Sequence, residues 1–403
     1  MKSNNALSKE KAASLAAEFE SELALNIVPF WMKHSVDAEK GGYFNCLDRD
    51  GTVFDTDKFM WMQGRELWCF SNLYSTERAD PAWLAAARFG ADFIRKFGRA
   101  ENGDFYFAVD RNGLPLVQPY NIFSDCFCAA GLAEYSKISG DEGAAAEAVA
   151  SWRGIQRRKA NPKGVWTKQI SANRPVKTMA MSMMQIWMAK VFSGFVPRQE
   201  LDSAIRESVA DVLTVHLDGD KKALFERVYA DGSRPQGMDG RLLSPGHALE
   251  TLWFILDAAT STPEGEKFLP EGYSIEDLTG AMLWTIEKGW DEEFGGICYY
   301  RDYEGRPLEK LESDMKLWWV HAEALCAFLL AFKATGKPEF LGWFETIKDW
   351  SWAHFRDSEF GEWFGYLDRE GVPSSTLKGG KWKGMFHVPR ALLFCRDTLK
   401  TLA

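Results

Sequence analysis

Several signatures of function are missing from this chain of 403 residues. Its formal net charge is −9 and it has no block of Lys or Arg, so we expect no binding to nucleic acid. It has no H-E-x-x-H pair, no cysteine cluster, no G-x-x-x-x-G-K-[ST] loop and no G-x-S-x-G elbow. We therefore predict no metal site, and expect neither a P-loop enzyme nor an α/β serine hydrolase.

Long apolar runs are missing as well. The N-terminal segment has no apolar core ahead of a cleavage site, and the longest apolar run in the C-terminal part covers only residues 324–332. The seven cysteines form no C-x-x-C pair, and their odd number leaves at least one unpaired. These features predict a soluble, cytoplasmic protein with reduced cysteines and no membrane partner.

Aromatic residues, in contrast, are plentiful. The chain has 17 Trp and 28 Phe within an ordinary globular composition of 46% hydrophobic and 26% charged residues. Surplus Trp is typical of a wide aromatic pocket, for which sugars are common ligands, but also of plain helix packing. The composition leaves both interpretations open.

A short hairpin pattern recurs along the chain. An aromatic, alternating strand runs into a D-x-x-G or D-G turn in the segments that begin near residues 41, 103, 223, 295 and 361. The step from 103 to 223 is twice the usual one, and a degenerate copy at residues 163–166 fills it. The chain therefore has six units of roughly 60 to 70 residues.

Between these hairpins the apolar residues follow helical periodicity, as in residues 63–70 and 247–254. Each interval has room for two helices of about 15 residues. Six helix pairs that close into a ring predict an all-α (α/α)6 barrel, a six-hairpin toroid with short β-hairpins between the helix pairs. An open superhelix would show the same period. No linker-like segment divides the chain, so we predict one domain over residues 1–403.

Two of the six histidines are candidate catalytic residues. His34, His216 and His354 suit structural positions in or near helices. His247 and His387 each lie at a helix start marked by Pro or Gly, where the positive end of the helix dipole favours a neutral imidazole and so a general base. Either alone could be a capping residue, but two in matching contexts favour a function.

Charged residues near these histidines add further candidates. Glu250 lies three residues after His247 and so shares its helix face, where a carboxylate can orient the ring or bind a substrate hydroxyl. Arg65 is a cation among bulky apolar residues, and a buried Arg needs an anionic partner. That partner is either a structural carboxylate or charge that develops on a substrate.

A third motif lies in residues 316–323. Helical spacing places Lys316, Trp319 and Glu323 on one face and sends His321 to nearly the opposite side. We therefore predict Lys316 and Trp319 as substrate contacts, Glu323 as a catalytic carboxylate, and His321 outside the site. A salt bridge on a solvated face is the alternative.

Five stretches of the chain carry a family resemblance: WMQGRELW, SPGHALETLWF, KLWWVHAEAL, GEWFGYLDREG and KGGKWKGMFHVPRALLFC. They are similar to the N-acylglucosamine 2-epimerase family, whose animal members are also called renin-binding proteins. The resemblance runs from about Gly41 to Arg396 and is strongest over residues 378–390. It implies an (α/α)6 barrel that interconverts sugars differing at C2, typically N-acetylglucosamine and N-acetylmannosamine.

The resemblance also implies roles for single residues. It makes His387 and His247 the two acid–base residues, Arg65 the enolate stabiliser, and Glu250 and Glu323 supporting carboxylates. It implies sugar contacts by Trp382 and Trp319. A Met-rich segment that includes Met181 and Met184 corresponds to a wall found in the N-acyl enzymes, whereas disaccharide 2-epimerases tend to have polar residues there.

The chemistry requires no cofactor. The animal enzyme uses ATP as an effector, but nothing in this sequence supports extending that property to this chain. The expected partner is a small-molecule sugar, and the oligomeric state stays open, with a homodimer as one option.

Three alternatives remain. The nearest is an aldose–ketose isomerase or a cellobiose-type 2-epimerase of the same superfamily. An (α/α)6 glycoside hydrolase would use two carboxylates, for which Glu250 and Glu323 could serve, but it would leave both histidines without a role. A non-catalytic protein-binding member would not depend on either histidine.

Overall fold

The computed structural model describes residues 7–168, 170 and 172–403, and twelve helices account for most of this part of the chain. The first, α1, is continuous over residues 9–34 (Lys9–Ser21, the π-helical Glu22–Ile27 and Val28–His34). The others are α2 (Met60–Tyr74), α3 (Pro81–Phe97), α4 (Ile122–Ser139), α5 (Glu142–Arg158), α6 (Ala180–Val191), α7 (Arg198–Asp211, continued by the π-helical Val212–His216), α8 (Pro245–Thr260), α9 (Ile275–Gly289), α10 (Trp318–Thr335), α11 (Pro338–His354) and α12 (His387–Leu402).

Short antiparallel strands connect the helices at one end of the molecule. They are β1 (Cys46–Leu47), β2 (Val53–Asp55), β3 (Lys58–Phe59), β4 (Ala108–Val109), β5 (Pro115–Val117), β6 (Val176–Thr178), β7 (Leu217–Asp218), β8 (Ala223–Leu224), β9 (Arg227–Tyr229), β10 (Leu242–Leu243), β11 (Arg301–Asp302), β12 (Lys316–Leu317), β13 (Tyr366–Leu367) and β14 (Pro373–Ser375). Their sheets are β1–β2, β3–β4–β5, β6–β9, β7–β8, β10–β11 and β12–β13–β14.

The helices form an inner and an outer ring. The even-numbered helices are buried on nearly all sides, and in α10 every residue from Trp318 to Phe332 is buried. The odd-numbered helices are amphipathic, with one buried face and one exposed face, as in α3. The inner helices pack in sequence, α2 on α4, α4 on α6, α6 on α8, α8 on α10 and α10 on α12.

The ring closes between the first and last helices. The first helix, α1, packs along the last one, α12, and completes the sixth helix pair. Phe386 lies just before α12 and contacts α2. The centroids of the Phe386 and Trp68 rings are 5.4 Å apart, and the carbonyl oxygen of Phe386 lies 3.9 Å from Sγ of Cys69. The prediction of a closed (α/α)6 barrel is confirmed, and the open superhelix is wrong.

Three ionic clusters tie successive units together. In each, a buried Asp after an outer helix binds a fully buried Lys from a later segment of the chain and an Arg from a D-R-x-G turn, all at 2.8 to 3.0 Å. The clusters are Asp37–Lys58–Arg111, Asp291–Lys316–Arg369 and Asp357–Lys378–Arg49. In the third, Arg49 of the first unit binds Asp357 of the last, across the closure of the ring.

The predicted hairpin pattern is partly correct. The copies near 41, 103 and 361 form the tight hairpins β1–β2, β4–β5 and β13–β14. In the copies near 223 and 295 the strands pair with other segments instead, β8 with β7, β9 with β6 and β11 with β10. The predicted copy at 163–166 is wrong: Gly164–Trp166 is a 3-10 turn whose Val165 side chain is exposed, so no buried strand face exists there.

Two hairpin turns explain two of the histidines set aside as structural. At Gly51, φ is +87°, and a Cβ atom there would lie 2.3 Å from the His34 ring. At Gly371 a Cβ atom would lie 2.4 Å from Nδ1 of His354, which is 3.1 Å from the Gly371 carbonyl oxygen. Each imidazole thus packs beneath a glycine turn.

The predictions about cysteines and membrane spans can also be compared with the structure. All seven cysteines are free and buried. Within the described ranges, the chain has no helix with the length and apolar character that a membrane crossing needs.

Candidate active site

A cavity of about 500 Å³ opens at the hairpin end of the barrel. Its helical lining residues come from the first two turns of the six inner helices, and the rest come from the adjoining strands and loops. The lining consists of Trp61, Arg65, Phe123, Phe127, Ala180, Met183, Met184, His247, Glu250, Tyr299, Glu312, Met315, Leu317, Trp318, Trp319, Tyr366, Trp382 and His387. Both predicted catalytic histidines therefore face the same space.

His387 is the first residue of α12. Its Nδ1 donates to Oε1 of Glu323 at 2.6 Å, and Glu323 in turn accepts from Nε1 of Trp253 at 2.9 Å and from Nη2 of Arg390 at 2.6 Å. Burial, and then the positive charge of Arg65, hold the pKa of His387 well below its usual value. A neutral imidazole is the form that can accept a proton, as predicted from the helix start.

His247 is the third residue of α8, which begins at Pro245. Its Nδ1 lies 3.1 Å from Oε2 of Glu226, a carboxylate in the short segment between β8 and β9. Burial lowers the pKa of His247, but the Glu226 carboxylate outweighs it and the pKa is raised. The helix start alone therefore does not set the pKa of His247, because the negative charge of Glu226 opposes the helix dipole.

The two imidazoles share one aromatic neighbour. The Trp319 ring lies 5.1 Å from the His247 ring and 5.8 Å from the His387 ring, between centroids. Because Nδ1 of each histidine binds a carboxylate, Nε2 is the atom left for a ligand, and no described residue hydrogen-bonds to either Nε2.

Arg65 is surrounded by aromatic rings. Its guanidinium carbon lies 4.5 Å from the Trp61 centroid, 4.1 Å from Phe127 and 5.0 Å from Phe386. Burial lowers its pKa to about 9. Within the described ranges no carboxylate lies within ion-pair distance of it, and its Nε has no partner. This cation is available to an anionic oxygen in the cavity.

Arg390 was not predicted, although it lies one turn after His387 in a quoted motif. Its Nη2 lies 2.6 Å from Oε1 of both Glu250 and Glu323. Glu250, Glu323 and His387 bring ligand atoms within 4.8 Å of one another, the spacing of a metal site, but the Arg390 guanidinium already supplies the positive charge between the carboxylates. The i, i+3 spacing of His387 and Arg390 is the signal that would have found it.

Two predicted substrate contacts do not reach the cavity. Lys316 belongs to β12 rather than to the helix, because α10 begins only at Trp318, and its Nζ is fully buried against Asp291 at 3.0 Å. Met181 is not part of the cavity lining, which Met183 and Met184 reach from the same helix. Lys316 was misplaced because α10 begins at Trp318, two residues after Lys316. Met181 was misplaced because the register of α6 brings Met183 and Met184 to the cavity instead.

The remaining predictions in this region agree with the geometry. Trp319, Trp382 and Met184 line the cavity, with Trp382 half-exposed at its rim. Glu323 is fully buried behind the wall, where it holds His387. His321 lies away from the site, between the Leu317 carbonyl and the Ile297 amide, both 2.9 Å from its ring nitrogens.

Glu226 was also missed. In the stretch ALFERVY, Glu226 follows three apolar residues and stands directly before Arg227. Its side chain is almost completely buried. The signal available in the sequence was a single carboxylate within a mostly apolar and aromatic segment. No spacing rule connects it with His247, which lies 21 residues later on another element.

Comparisons with known proteins agree with this geometry. The mouse protein "N-acylglucosamine 2-epimerase" is 35% identical over 93% of this chain and 90% of its own length, and the human protein of that name is 34% identical over 93% and 88%. "Cellobiose 2-epimerase" from Dictyoglomus turgidum is 25% identical over 96% and 99%. The solved cellobiose 2-epimerase of Spirochaeta thermophila superposes with a TM-score of 0.81 at 23% identity, covering 97% of this chain and 98% of that one.

A family profile agrees with these relatives. The profile described as N-acylglucosamine 2-epimerase (GlcNAc 2-epimerase) matches residues 42–391. This match covers all six inner helices up to the first turn of α12, and with them His247, His387 and Arg65. The chain belongs to the N-acylglucosamine 2-epimerase family.

Proposed function

We propose that this protein interconverts N-acetylglucosamine and N-acetylmannosamine by removing and replacing the proton at C2. The observation that carries the proposal is the pair of histidines in one cavity, each with a carboxylate on Nδ1 and a free Nε2. Relatives named N-acylglucosamine 2-epimerase support the choice of substrate, because they align over nine-tenths of the chain.

The reaction needs two proton-transfer groups and one charge stabiliser. In the open-chain sugar, the C2 proton is acidic because it lies next to the C1 aldehyde. Its removal leaves an enolate, with the negative charge on O1. A proton delivered to the opposite face of C2 inverts that carbon, and no electron is gained or lost.

The pKa values of the two histidines shift in opposite directions, and we assign their initial roles from this difference. Neutral His387 takes the C2 proton at Nε2, and protonated His247 supplies a proton to the other face. After turnover the proton has moved from His247 to His387, so the reverse reaction starts from that arrangement. Each such acid–base group typically contributes about 10²- to 10⁴-fold to the rate.

Arg65 stabilises the enolate in this scheme. Its guanidinium lies at the cavity without a carboxylate partner, so the developing charge on O1 is the anion that it can bind. A positioned donor of this kind is worth roughly 3–4 kcal/mol in the transition state.

Apolar residues on the cavity wall support an N-acyl substrate. Met183 and Met184 face the cavity beside Phe123 and Phe127, a surface that suits the methyl of an acetamido group better than a further hydroxylated sugar. No cofactor takes part in these steps. ATP as an effector, which the sequence does not support, and a homodimer remain options, and a single domain over residues 1–403 stays a prediction.

The test follows the C2 proton of N-acetylmannosamine in D₂O by NMR. The protein should form N-acetylglucosamine with deuterium at C2. His247→Asn and His387→Asn should each lose epimerisation by about 10²-fold or more. Because one base remains in each, each variant should still exchange the C2 proton of one epimer only, and the two variants should differ in which one.

The control is His34→Gln, which changes a histidine outside the cavity and should keep turnover. A ketose product would instead establish the aldose–ketose isomerase. Exchange of both epimers by a single-histidine variant would contradict the two-base scheme, and no exchange with any monosaccharide would contradict the proposal altogether.

A further inference from the structure

A second cavity, of about 560 Å³, lies at the opposite end of the barrel. Inner helices contribute residues mostly from their later turns, such as Lys137 of α4, Lys190 of α6 and Asp257 of α8, and the outer helix α7 closes one side. We propose that this cavity binds an uncharged ligand of monosaccharide size and that the ligand acts on the candidate active site through Arg390.

Only one layer of side chains separates the two cavities. Arg390 and Trp253 line the second cavity, whereas Glu250 lines the first. Nη2 of Arg390 lies 2.6 Å from Oε1 of Glu250, and Nε1 of Trp253 donates to Glu323 at 2.9 Å. The floor of the second cavity is therefore bonded directly to the carboxylates behind His387.

Buried hydrogen-bonding atoms without partners mark the second cavity as a site for a ligand. Trp68 and Arg390 are more than nine-tenths buried, and neither Nε1 of Trp68 nor Nε of Arg390 has an acceptor. Oγ1 of Thr262, on the same cavity wall, is also without a partner. Most buried polar atoms in proteins are bonded, so three unpartnered atoms in residues around one cavity favour a bound molecule that offers acceptor oxygens. These atoms have almost no accessible surface, so a small shift of the lining side chains must accompany binding.

The charges around the cavity cancel, which argues for an uncharged ligand. The lining includes four cations (Lys137, Lys190, Arg198, Arg390) and four anions (Glu134, Asp202, Asp257, Asp397). Most are already paired at the wall, as in Lys190–Asp257, Arg198–Asp202 and Lys137–Glu134. A charged ligand would find no unpaired counter-charge there.

The shape and the apolar walls suit a pyranose. The volume is in the range of small-molecule sites. Trp187, Trp253 and Phe254 offer ring faces on which the C–H face of a sugar can pack, while the unpartnered donors bind its oxygens. A ligand oxygen on Nε of Arg390 would change how that guanidinium holds Glu323, and so how Glu323 holds His387.

The indole N–H resonance of Trp68 tests binding directly. N-acetylglucosamine and glucose are titrated into ¹⁵N-labelled protein, with glucose 6-phosphate and glucuronate as charged counterparts and Trp68→Phe to assign the signal. We expect the Trp68 indole proton to move downfield and saturate with an uncharged sugar. Thr262→Val should weaken binding about fivefold, the effect of one hydrogen bond.

Ala258→Trp fills the cavity from α8 and is the blocking variant, with Ser261→Trp at the rim as a second one. Each should abolish the Trp68 response, while the Trp319 indole in the candidate active site still responds to N-acetylglucosamine. Glucose should change kcat for N-acetylmannosamine in the unaltered protein but not in the blocked variants.

Three outcomes would overturn the proposal: no saturable Trp68 response to either uncharged sugar, a response that survives both blocking variants, or tighter binding of the charged sugars. The binding readout does not require turnover, so it fails independently of the proposed function.

Discussion

At the scale of single residues, the two histidines differ in the charge that their carboxylates retain. Glu323 shares its charge with Arg390, whereas His247 is the only ion-pairing partner of Glu226 among the described residues. The same imidazole–carboxylate contact therefore raises the pKa of His247 but does not prevent a strong decrease at His387. Burial, Arg65 and Arg390 lower the pKa of His387, whereas at His247 the charge of Glu226 outweighs burial.

Glu226→Gln tests this difference. The amide keeps the size of the side chain but removes the charge that raises the pKa of His247, so His247 should lose its proton at lower pH. Because the proposed reaction needs one proton on the pair, the basic limb of kcat/KM against pH should move to lower pH while the acidic limb, set by His387, stays in place. The measurement is the full pH profile with N-acetylmannosamine.

Glu226→Asp should recover part of the original profile, and Glu304→Gln, at an exposed glutamate outside the cavity, is the matched control. A lower rate with an unmoved basic limb would show that Glu226 acts only in packing.

The sequence identified most, but not all, of this site. His247 and His387 could be found because Pro and Gly mark helix starts, and a helix start is a local signal. Lys316 was misplaced because the strand before α10 continues to Leu317. Glu226 could not be found from spacing, since strand pairing and helix packing bring it to His247 from a different element.

At the scale of elements, most inner helices begin without a capping side chain. α2, α6, α8, α10 and α12 have no side-chain N-cap, whereas α1, α3, α5 and α9 of the outer ring do. Their first turns line the candidate active site, so the positive ends of their helix dipoles favour negative charge in the cavity. This arrangement suits an enolate.

Gly246 in the first turn of α8 sets how close α8 and α10 come. A Cβ atom there would lie 2.7 Å from the Trp319 ring and 2.8 Å from Val320. Gly246→Ala should push Trp319 away from both histidines, lowering kcat by about 10²-fold and stability by about 1–3 kcal/mol. Turnover and urea unfolding measure the two effects.

Gly280→Ala on α9 is the matched control. Its Cβ atom would meet only the Trp284 ring at 4.0 Å, so we expect unchanged turnover and a stability gain of up to about 1 kcal/mol. A Gly246→Ala protein with full activity would show that the Trp319 position is not critical.

Helix pairs were easier to predict than the strands between them. Apolar periodicity over fifteen or more residues is a strong signal, and all six pairs are present. The strands have only two or three residues each, so the partner of a strand depends on neighbouring units rather than on its own residues. For this reason β8 pairs with β7 and β11 pairs with β10, instead of forming the hairpins that the turn residues predicted.

At the scale of the whole molecule, the Asp–Lys–Arg clusters make stability depend on pH. Burial would raise the pKa of Asp37, Asp291 and Asp357, but hydrogen bonds from Arg and Lys outweigh it and hold each pKa far below its ordinary value. A carboxyl with a depressed pKa stabilises the fold above its unfolded pKa of about 3.9 and loses that contribution as the pH falls. We expect unfolding stability to fall steeply below about pH 4, as urea titrations at several pH values would show.

Asp357→Asn tests the cluster that closes the ring. It leaves the fully buried Lys378 without its carboxylate, which should cost about 3–5 kcal/mol. Asp37→Asn does the same to Lys58 within consecutive units. Both should unfold more easily in urea, but only Asp357→Asn should also separate α1 from α12, seen as faster hydrogen exchange in these two helices before the rest. Equal exchange patterns in both variants would contradict a special role for Asp357.

The pairing of α1 with α12 has a consequence for how the protein is made. Because synthesis runs from the N-terminus, five helix pairs form while α1 still lacks its partner, and the apolar sides of α1 and α2 stay open to water or to a chaperone. The helix that completes the barrel, α12, also carries His387, the residue proposed to take the substrate proton. A prematurely terminated chain therefore cannot be a weak enzyme; it lacks the wall and the base together.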